Sequence, residues 1–469
     1  MSRQDWEYRR EIVLPFSLEL ADAPALICEE TLRLLPGRRL VCRAVQDGQP
    51  VLVKLFMGKD ALRAAREDAA GIRAMMAANI DTPSLRLESR VKGKGYPVLL
   101  FDFIPAAVSF RQRWTEAGEA RRVELLQALL ELVAKQHQAG LRQRDFHLNN
   151  FILDTEDHLY AIDGGDFIVG NQPLAQKEAI ANLGVLFGHL PLQALRKHPQ
   201  VLESYFDRRG QEVSEGLIRR INLKSDTFRH RRARRISRKS FRNCSEFMLR
   251  RKGELRICQR RDFSPAELNG WIRSTGLAPL VEETILKPGN SQTVWATSIG
   301  GRDVVIKRYN LKTPLHALRR VFTRSRASKS WENAHRLRAY HIPTPEPLAM
   351  IEERRFGLRQ RAWLITAKAR GIGAKSYIPD HSDEPTLERL ASVARAFGDN
   401  GLVHGDMKAT NFMMTGESIE VIDLDSMFRP LTGPVLRARV AKDRRRFLKN
   451  WPDAGLRERF ARLLRQGFG

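Results

Sequence analysis

The chain repeats itself once, and the repeat constrains it more than any other feature. An Asp-x-x-x-x-Asn-Phe segment followed by a short apolar run ending in Asp occurs in each half. The first copy is Arg144-Asp145-Phe146-His147-Leu148-Asn149-Asn150-Phe151, then Tyr160-Ala161-Ile162-Asp163. The second is His404-Gly405-Asp406-Met407-Lys408-Ala409-Thr410-Asn411-Phe412, then Val421-Ile422-Asp423. Asp145 and Asp406 lie 261 residues apart, as do Asn150 and Asn411, while Asp163 and Asp423 lie 260 apart. Upstream, each half has a β-rich run around a lysine, Val51-Leu52-Val53-Lys54-Leu55 and Val304-Val305-Ile306-Lys307-Arg308. One such motif is common by chance; four features in one order at nearly one offset mark a duplication.

The local patterns repeat as well. Val123, Leu126, Leu130 and Val133 follow a helical period and predict a helix over residues 120–138, closed at Gly140-Leu141. A matching helix is predicted over 386–397, started by Pro385 and closed at Gly401-Leu402. Residues 61–77 read as another helix. The expected division is a first domain over 1–224, a basic linker over 225–240 and a second domain over 241–469, with early strands of the second domain in 245–257. The fold class expected is α+β: two tandem bilobal domains, each with a small β-rich lobe and a mainly helical one.

These residue types suit phosphoryl transfer, which asks a protein for positioning and positive charge more than for covalent chemistry. A strand lysine reaches the α/β-phosphates of ATP, and a helix acid holds that lysine. A loop Asp orients the attacking hydroxyl and accepts its proton. The Asn five residues on and the Asp after the next strand supply oxygen to Mg²⁺. The first half offers Lys54, Glu67, Asp145, Asn150 and Asp163 for these roles. The second offers Lys307, Glu332, Asp406, Asn411 and Asp423, with Lys408 as a further point charge where the first half has His147. A lone strand lysine is ordinarily a solvated charge, and a loop Asp or Asn a turn or cap residue; the shared order lifts them above that reading. The two helix acids stand apart from it, because their spacings from the lysine differ and other acids are near. The phosphate-covering turns, Leu35-Pro36-Gly37-Arg38-Arg39 and Lys287-Pro288-Gly289-Asn290-Ser291, carry one glycine each and are not G-x-G-x-x-G. Asp163-Gly164-Gly165-Asp166 and Asp423-Leu424-Asp425 depart from Asp-Phe-Gly, with Asp166 and Asp425 as further acids.

The motifs resemble the lipopolysaccharide-core kinase family of the Kdo/WaaP type, a branch of the protein-kinase-like fold. The resemblance is carried by Gln143-Arg144-Asp145-Phe146-His147 with Asn150-Phe151-Ile152-Leu153, and by His404-Gly405-Asp406-Met407-Lys408 with Asn411-Phe412. It is also carried by Ile80-Asp81-Thr82-Pro83 and Ile342-Pro343-Thr344-Pro345. It implies an ATP- and Mg²⁺-dependent kinase acting on a heptose or Kdo sugar of the lipid-linked inner core, in the cytosol, at the inner face of the inner membrane. Two kinase-like units leave room for one to be regulatory. The second, with Lys408, has the fuller loop.

Charge and composition fit such a protein. Of the 469 residues, 80 are Lys or Arg and 54 are Asp or Glu, a net charge of +26. That field draws polyanions, whether an anionic membrane face, a phosphorylated glycolipid or nucleic acid. The basic run Arg231-Arg232-Ala233-Arg234-Arg235 has no interleaved aromatics or nucleic-acid motif, so no nucleic acid is expected as partner. The four cysteines lack any C-x-x-C and suit a reducing compartment. Residues 1–10 have no apolar core of a secretory signal, and no apolar run is long enough to span a bilayer. Three rivals remain. A protein kinase would need more chain after Asp423 and an Ala-Pro-Glu. An aminoglycoside- or choline-type kinase favours acidic pockets. A non-catalytic kinase-fold scaffold would use the basic run.

Overall fold

The computed structural model describes residues 12–280, 283–289, 291–310, 324–355 and 358–466; the charged segment 1–10 and Asn290 of the second turn lie outside them. The chain forms two compact units of mixed helix and sheet, Met1–Phe228 and Arg229–Gly469.

The first unit begins with a six-stranded antiparallel sheet. Its strands lie in the order Phe16–Leu18, Leu26–Leu35, Arg39–Gln46, Gln49–Phe56, Pro97–Asp102, Leu85–Arg90. Alternation decides its faces. Val51, Val53 and Leu55 join Leu40, Cys42, Val98 and Leu100 in one core. Leu52, Lys54 and Phe56 point the other way, and Phe56 packs with Ala65, Ala69, Ile72 and Met75 of the helix Ala61–Ala77. That helix has the bounds read from the sequence. The long helix is Glu119–Gln138, and Gly140 behind it takes φ +76, a conformation glycine adopts without strain. It leads into the short strand Leu141–Gln143 and the loop bearing Asp145.

The second unit has a seven-stranded antiparallel sheet, ordered Phe247–Lys252, Leu255–Arg260, Pro347–Arg355, Leu358–Ala367, Arg302–Tyr309, Gln292–Ile299, Thr284–Lys287. Five of these strands repeat the first sheet's order, and the hairpin read as early strands adds two at one edge. Val304 and Ile306 enter one core, while Tyr309 packs with Ala327 and Trp331 of the helix Arg326–Ala339 on the opposite face. The helix predicted over 386–397 is Glu384–Asp399, with Asp383 capping Thr386 N and Gly401 at φ +68.

The stretch 225–240, read as a basic linker, falls mostly within the helix Glu215–Lys239. Arg229, Ala233, Ser237 and Ser240 are buried along one face, while Arg231, Arg234, Arg235 and Arg238 are exposed. A buried residue every fourth position is a packed helical face, not a solvated tether. Among the described residues no helix is long and apolar enough to cross a membrane.

Buried histidines give the first unit a pH signature. His137 lies between Tyr205 Oη at 2.7 Å and Asn182 Oδ1 at 3.0 Å. Burial lowers its pKa from 6.5 to about 4, the bond to Asn182 only partly opposing this. The unfolded chain therefore takes the proton first as pH falls. The first unit loses stability between pH 6.5 and 4, and the loss stops growing below the folded value. The full window corresponds to about 3 kcal/mol. Urea midpoints for first-unit peptides, followed by hydrogen exchange between pH 7 and 4.5, should fall for wild type and flatten for His137→Gln.

Candidate functional site

Both loops are built alike. In the first unit Asn150 Nδ2 donates to the backbone oxygen of Asp145 at 3.2 Å, and Ile162 N to Asn150 O at 2.8 Å. In the second, Asn411 Nδ2 donates to Asp406 O at 2.8 Å, and Ile422 N to Asn411 O at 2.8 Å. Asp163 and Asp423 both hold left-handed backbone, at φ +68 and +62, each leading into a 3₁₀ turn. A non-glycine residue at positive φ stores strain, and finding it at the same step of both repeats ties it to the site. No sequence signal announced it.

In the first unit the helix acid that holds the lysine is Asp68, not Glu67. Lys54 Nζ lies 2.9 Å from Asp68 Oδ2, while Glu67 lies on the exposed side at 3.4 Å from Arg144. Helical period explains the correction: Ala61, Ala65, Asp68, Ala69 and Ile72 form the buried stripe. Lys54 Nζ also reaches Asp163 at 3.5 Å. A residue that sequence reading placed only in the covering turn, Arg39, forks onto both oxygens of Asp163 at 2.8 and 3.3 Å. Burial would raise the Asp163 pKa, but Lys54 and Arg39 outweigh it and hold it at about 2. Asp166 accepts from Asn150 Nδ2 at 3.2 Å, and burial together with Asp163 raises its pKa. Asp145 is exposed, and His147 lies 3.5 Å from Arg111.

In the second unit Lys307 pairs directly with Asp423. Burial opposes charge on Lys307, but Tyr309 and Asp423 outweigh it, raising its pKa; Asp423 is likewise lowered against its burial by Lys307. Glu332 is not the partner of Lys307. It binds Arg336 at 2.7 Å and also pairs with Arg324. The helix offset of 262, read from Ile80–Pro83 and Ile342–Pro345, sets Ser330 opposite Asp68, and Ser330 Oγ bonds Tyr309 Oη at 3.0 Å. Asp425 is taken by Arg326 Nε at 2.7 Å.

Asp406 has two cationic neighbours, Lys408 at 3.1 Å and Arg446 at 2.7 Å. Arg446 comes from the helix Gly433–Leu448. One turn earlier Asp443, buried, accepts from His404 N at 2.8 Å and Gly405 N at 3.1 Å. Its counterpart 261 residues back is Asn182, which donates to Gln143 O at 2.8 Å. The repeat offset could have found both anchors. Asp443→Ala strands the buried N–H of His404 and the part-buried N–H of Gly405, and a loss of about 2–3 kcal/mol in second-unit stability is expected, partly restored by Asn. Hydrogen exchange of peptides spanning 400–415 would measure it.

The two clefts differ in their fit to a divalent cation. In the second, Asp423 Oδ2 and Asn411 Oδ1 have no partner among the described residues, and both are the hard oxygen donors Mg²⁺ prefers. In the first, both oxygens of Asp163 already accept from Arg39, so a divalent ion there would have to share that carboxylate with a fixed guanidinium.

Residues 283–445 match the family model described as the lipopolysaccharide kinase (Kdo/WaaP) family. The matched segment runs from the edge strand Thr284–Lys287 through Lys307, Asp406, Asn411 and Asp423 into the helix Gly433–Leu448. No curated protein matches the chain.

Proposed function

From the Kdo/WaaP kinase domain at residues 283–445, we propose that this chain transfers the γ-phosphate of ATP to a sugar hydroxyl, on heptose or Kdo, of the lipid-linked lipopolysaccharide inner core. The second unit does the transfer, and the first, a kinase-like bilobal domain in tandem with it, serves as a regulatory or binding unit. The observation that carries this is the pairing of Lys307 with Asp423, in the same unit as a loop whose Asp406 is pinned through Asp443 and flanked by two cations.

The roles follow from position. Lys307 steadies the α/β-phosphates, and Asp423 and Asn411 would hold Mg²⁺, which would supply positive charge to the phosphate chain. Asp406 orients the acceptor hydroxyl and takes its proton. Lys408 and Arg446 add positive charge where the equatorial phosphate oxygens gain negative charge in the transition state. The field of a +26 chain, with the exposed arginines of the helix Gly433–Leu448, favours an anionic acceptor at the cytoplasmic face of an anionic inner membrane.

The test is transfer of labelled γ-phosphate, with Mg²⁺, to purified lipid-linked core, with aminoglycosides, choline and a basic protein as competing acceptors. Label is expected on the core glycolipid and is expected to vanish after mild removal of its heptose and Kdo. Label on amines or protein alone would sink the sugar-kinase reading.

A further inference from the structure

The first cleft differs from the second at two registered positions, and both concern charge. Arg39 pairs across the sheet with Phe56, two residues past Lys54, and Gln292 pairs with Tyr309, two residues past Lys307. Arginine in the first unit is thus glutamine in the second. Asp68 in the first is Ser330 in the second. The first unit therefore has a cation and an anion where the second has Gln292 and Ser330, and the two charges meet. Arg39 Nη1 lies 2.8 Å from Asp163 and 3.7 Å from Asp68, with Lys54 within 3.5 Å of both acids. A planar guanidinium on a carboxylate, with a lysine behind it, puts fixed positive charge where a divalent ion would otherwise bridge protein and phosphate.

The cavity above this cluster has about 960 Å³. Val41, Leu52, Phe101, Ile152 and Ile162 line it with apolar surface, and Arg33, Arg39 and Lys54 line it with cations beside the acids Asp145, Asp163 and Asp166. An apolar slot for a ring with cations alongside it suits a nucleoside polyphosphate. The geometry points to metal-independent binding of ATP in the first cleft, with Arg39 in the place of the divalent cation. This rests on the reading of both clefts as nucleotide sites and adds to it that they differ in their need for metal.

The test is photolabelling of the full chain with 8-azido-ATP, in Mg²⁺ and in EDTA, with labelled peptides mapped to each unit. First-unit labelling is expected to change less than twofold on chelation, while second-unit labelling drops at least tenfold. Arg39→Gln, which installs the residue of the second unit, is expected to cut first-unit labelling in EDTA at least tenfold and to leave it restorable by Mg²⁺. Arg39→Lys, which keeps charge without the fork, should fall between and stands in if the Gln variant does not fold. First-unit labelling that collapses in EDTA, or that ignores Arg39 substitution, overturns the proposal. Absence of label in either condition overturns the ligand class. Phosphate transfer measured on the same wild-type sample separates the two readings. Lost transfer with retained first-unit label would sink the kinase assignment and not this one.

Discussion

Asp406→Asn is expected to lower kcat for phosphate transfer about 10³-fold while leaving KM for ATP within about threefold. The asymmetry follows from where Asp406 sits. Its loop is fixed through the backbone at His404 and Gly405 by Asp443, and through Asn411 bonding Asp406 O. Replacing one carboxylate oxygen by an amide leaves that scaffold in place. It removes the acceptor for the hydroxyl proton and the anion facing Lys408 and Arg446, so the loss falls on the chemical step and not on nucleotide binding. Lys307→Met should do the reverse, raising KM for ATP and freeing Asp423 of its ion-pair partner. Steady-state kinetics with the core glycolipid saturating reads both. An Asp406→Asn enzyme retaining more than a tenth of wild-type kcat would put the base elsewhere.

Asp68→Asn is expected to destabilise the first unit by about 3–5 kcal/mol. Asp68 is fully buried, and Lys54, 7% exposed, stands 2.9 Å away. Removing the acid strands a buried ammonium whose remaining acid, Asp163, is already shared with Arg39. The neighbouring Glu67→Gln touches only a partly exposed pair with Arg144 and should shift stability by no more than about 0.5 kcal/mol. Denaturant-dependent hydrogen exchange of peptides within 61–77 distinguishes the two substitutions. Equal effects would return Glu67 to the role the sequence suggested.

That pair of residues also shows how far sequence carried. The strand lysines, the loop Asp and Asn and the Asp after the next strand could be placed because each sits in a run whose order and spacing recur. The helix acid could not be placed by spacing alone, since the number of residues between the lysine and the helix differs between the two halves. The buried face of the helix would have settled it: Ala61, Ala65, Ala69 and Ile72 leave Asp68 inward and Glu67 outward. In the second unit the position aligned with Asp68 is Ser330, and the nearby Glu332 pairs with Arg336 and Arg324 instead of Lys307. Arg39 and Arg446 were out of reach for another reason. Each acts across more than 35 residues of chain, on partners that only tertiary packing brings near. The basic stretch over 225–240 reads as a linker by its charge and as a helix by its period, and the helix Glu215–Lys239 follows the period.

Gly164 and Gly71 look like lapses from a motif in sequence, yet a Cβ on Gly71 would stand 2.1 Å from the carbonyl oxygen of Gly164. There the helix and the turn behind Asp163 abut backbone to backbone, with no side chain as a cushion. Such a seam admits no side chain between the helix of Asp68 and the turn of Asp163, so any substitution at either glycine would have to push the two acids apart. In the second unit Asn333 fills the corresponding gap and ties to Leu424 O and Met427 O at 2.8 and 2.9 Å. One polypeptide thus closes the same junction twice, once by bare contact and once by a bridging amide.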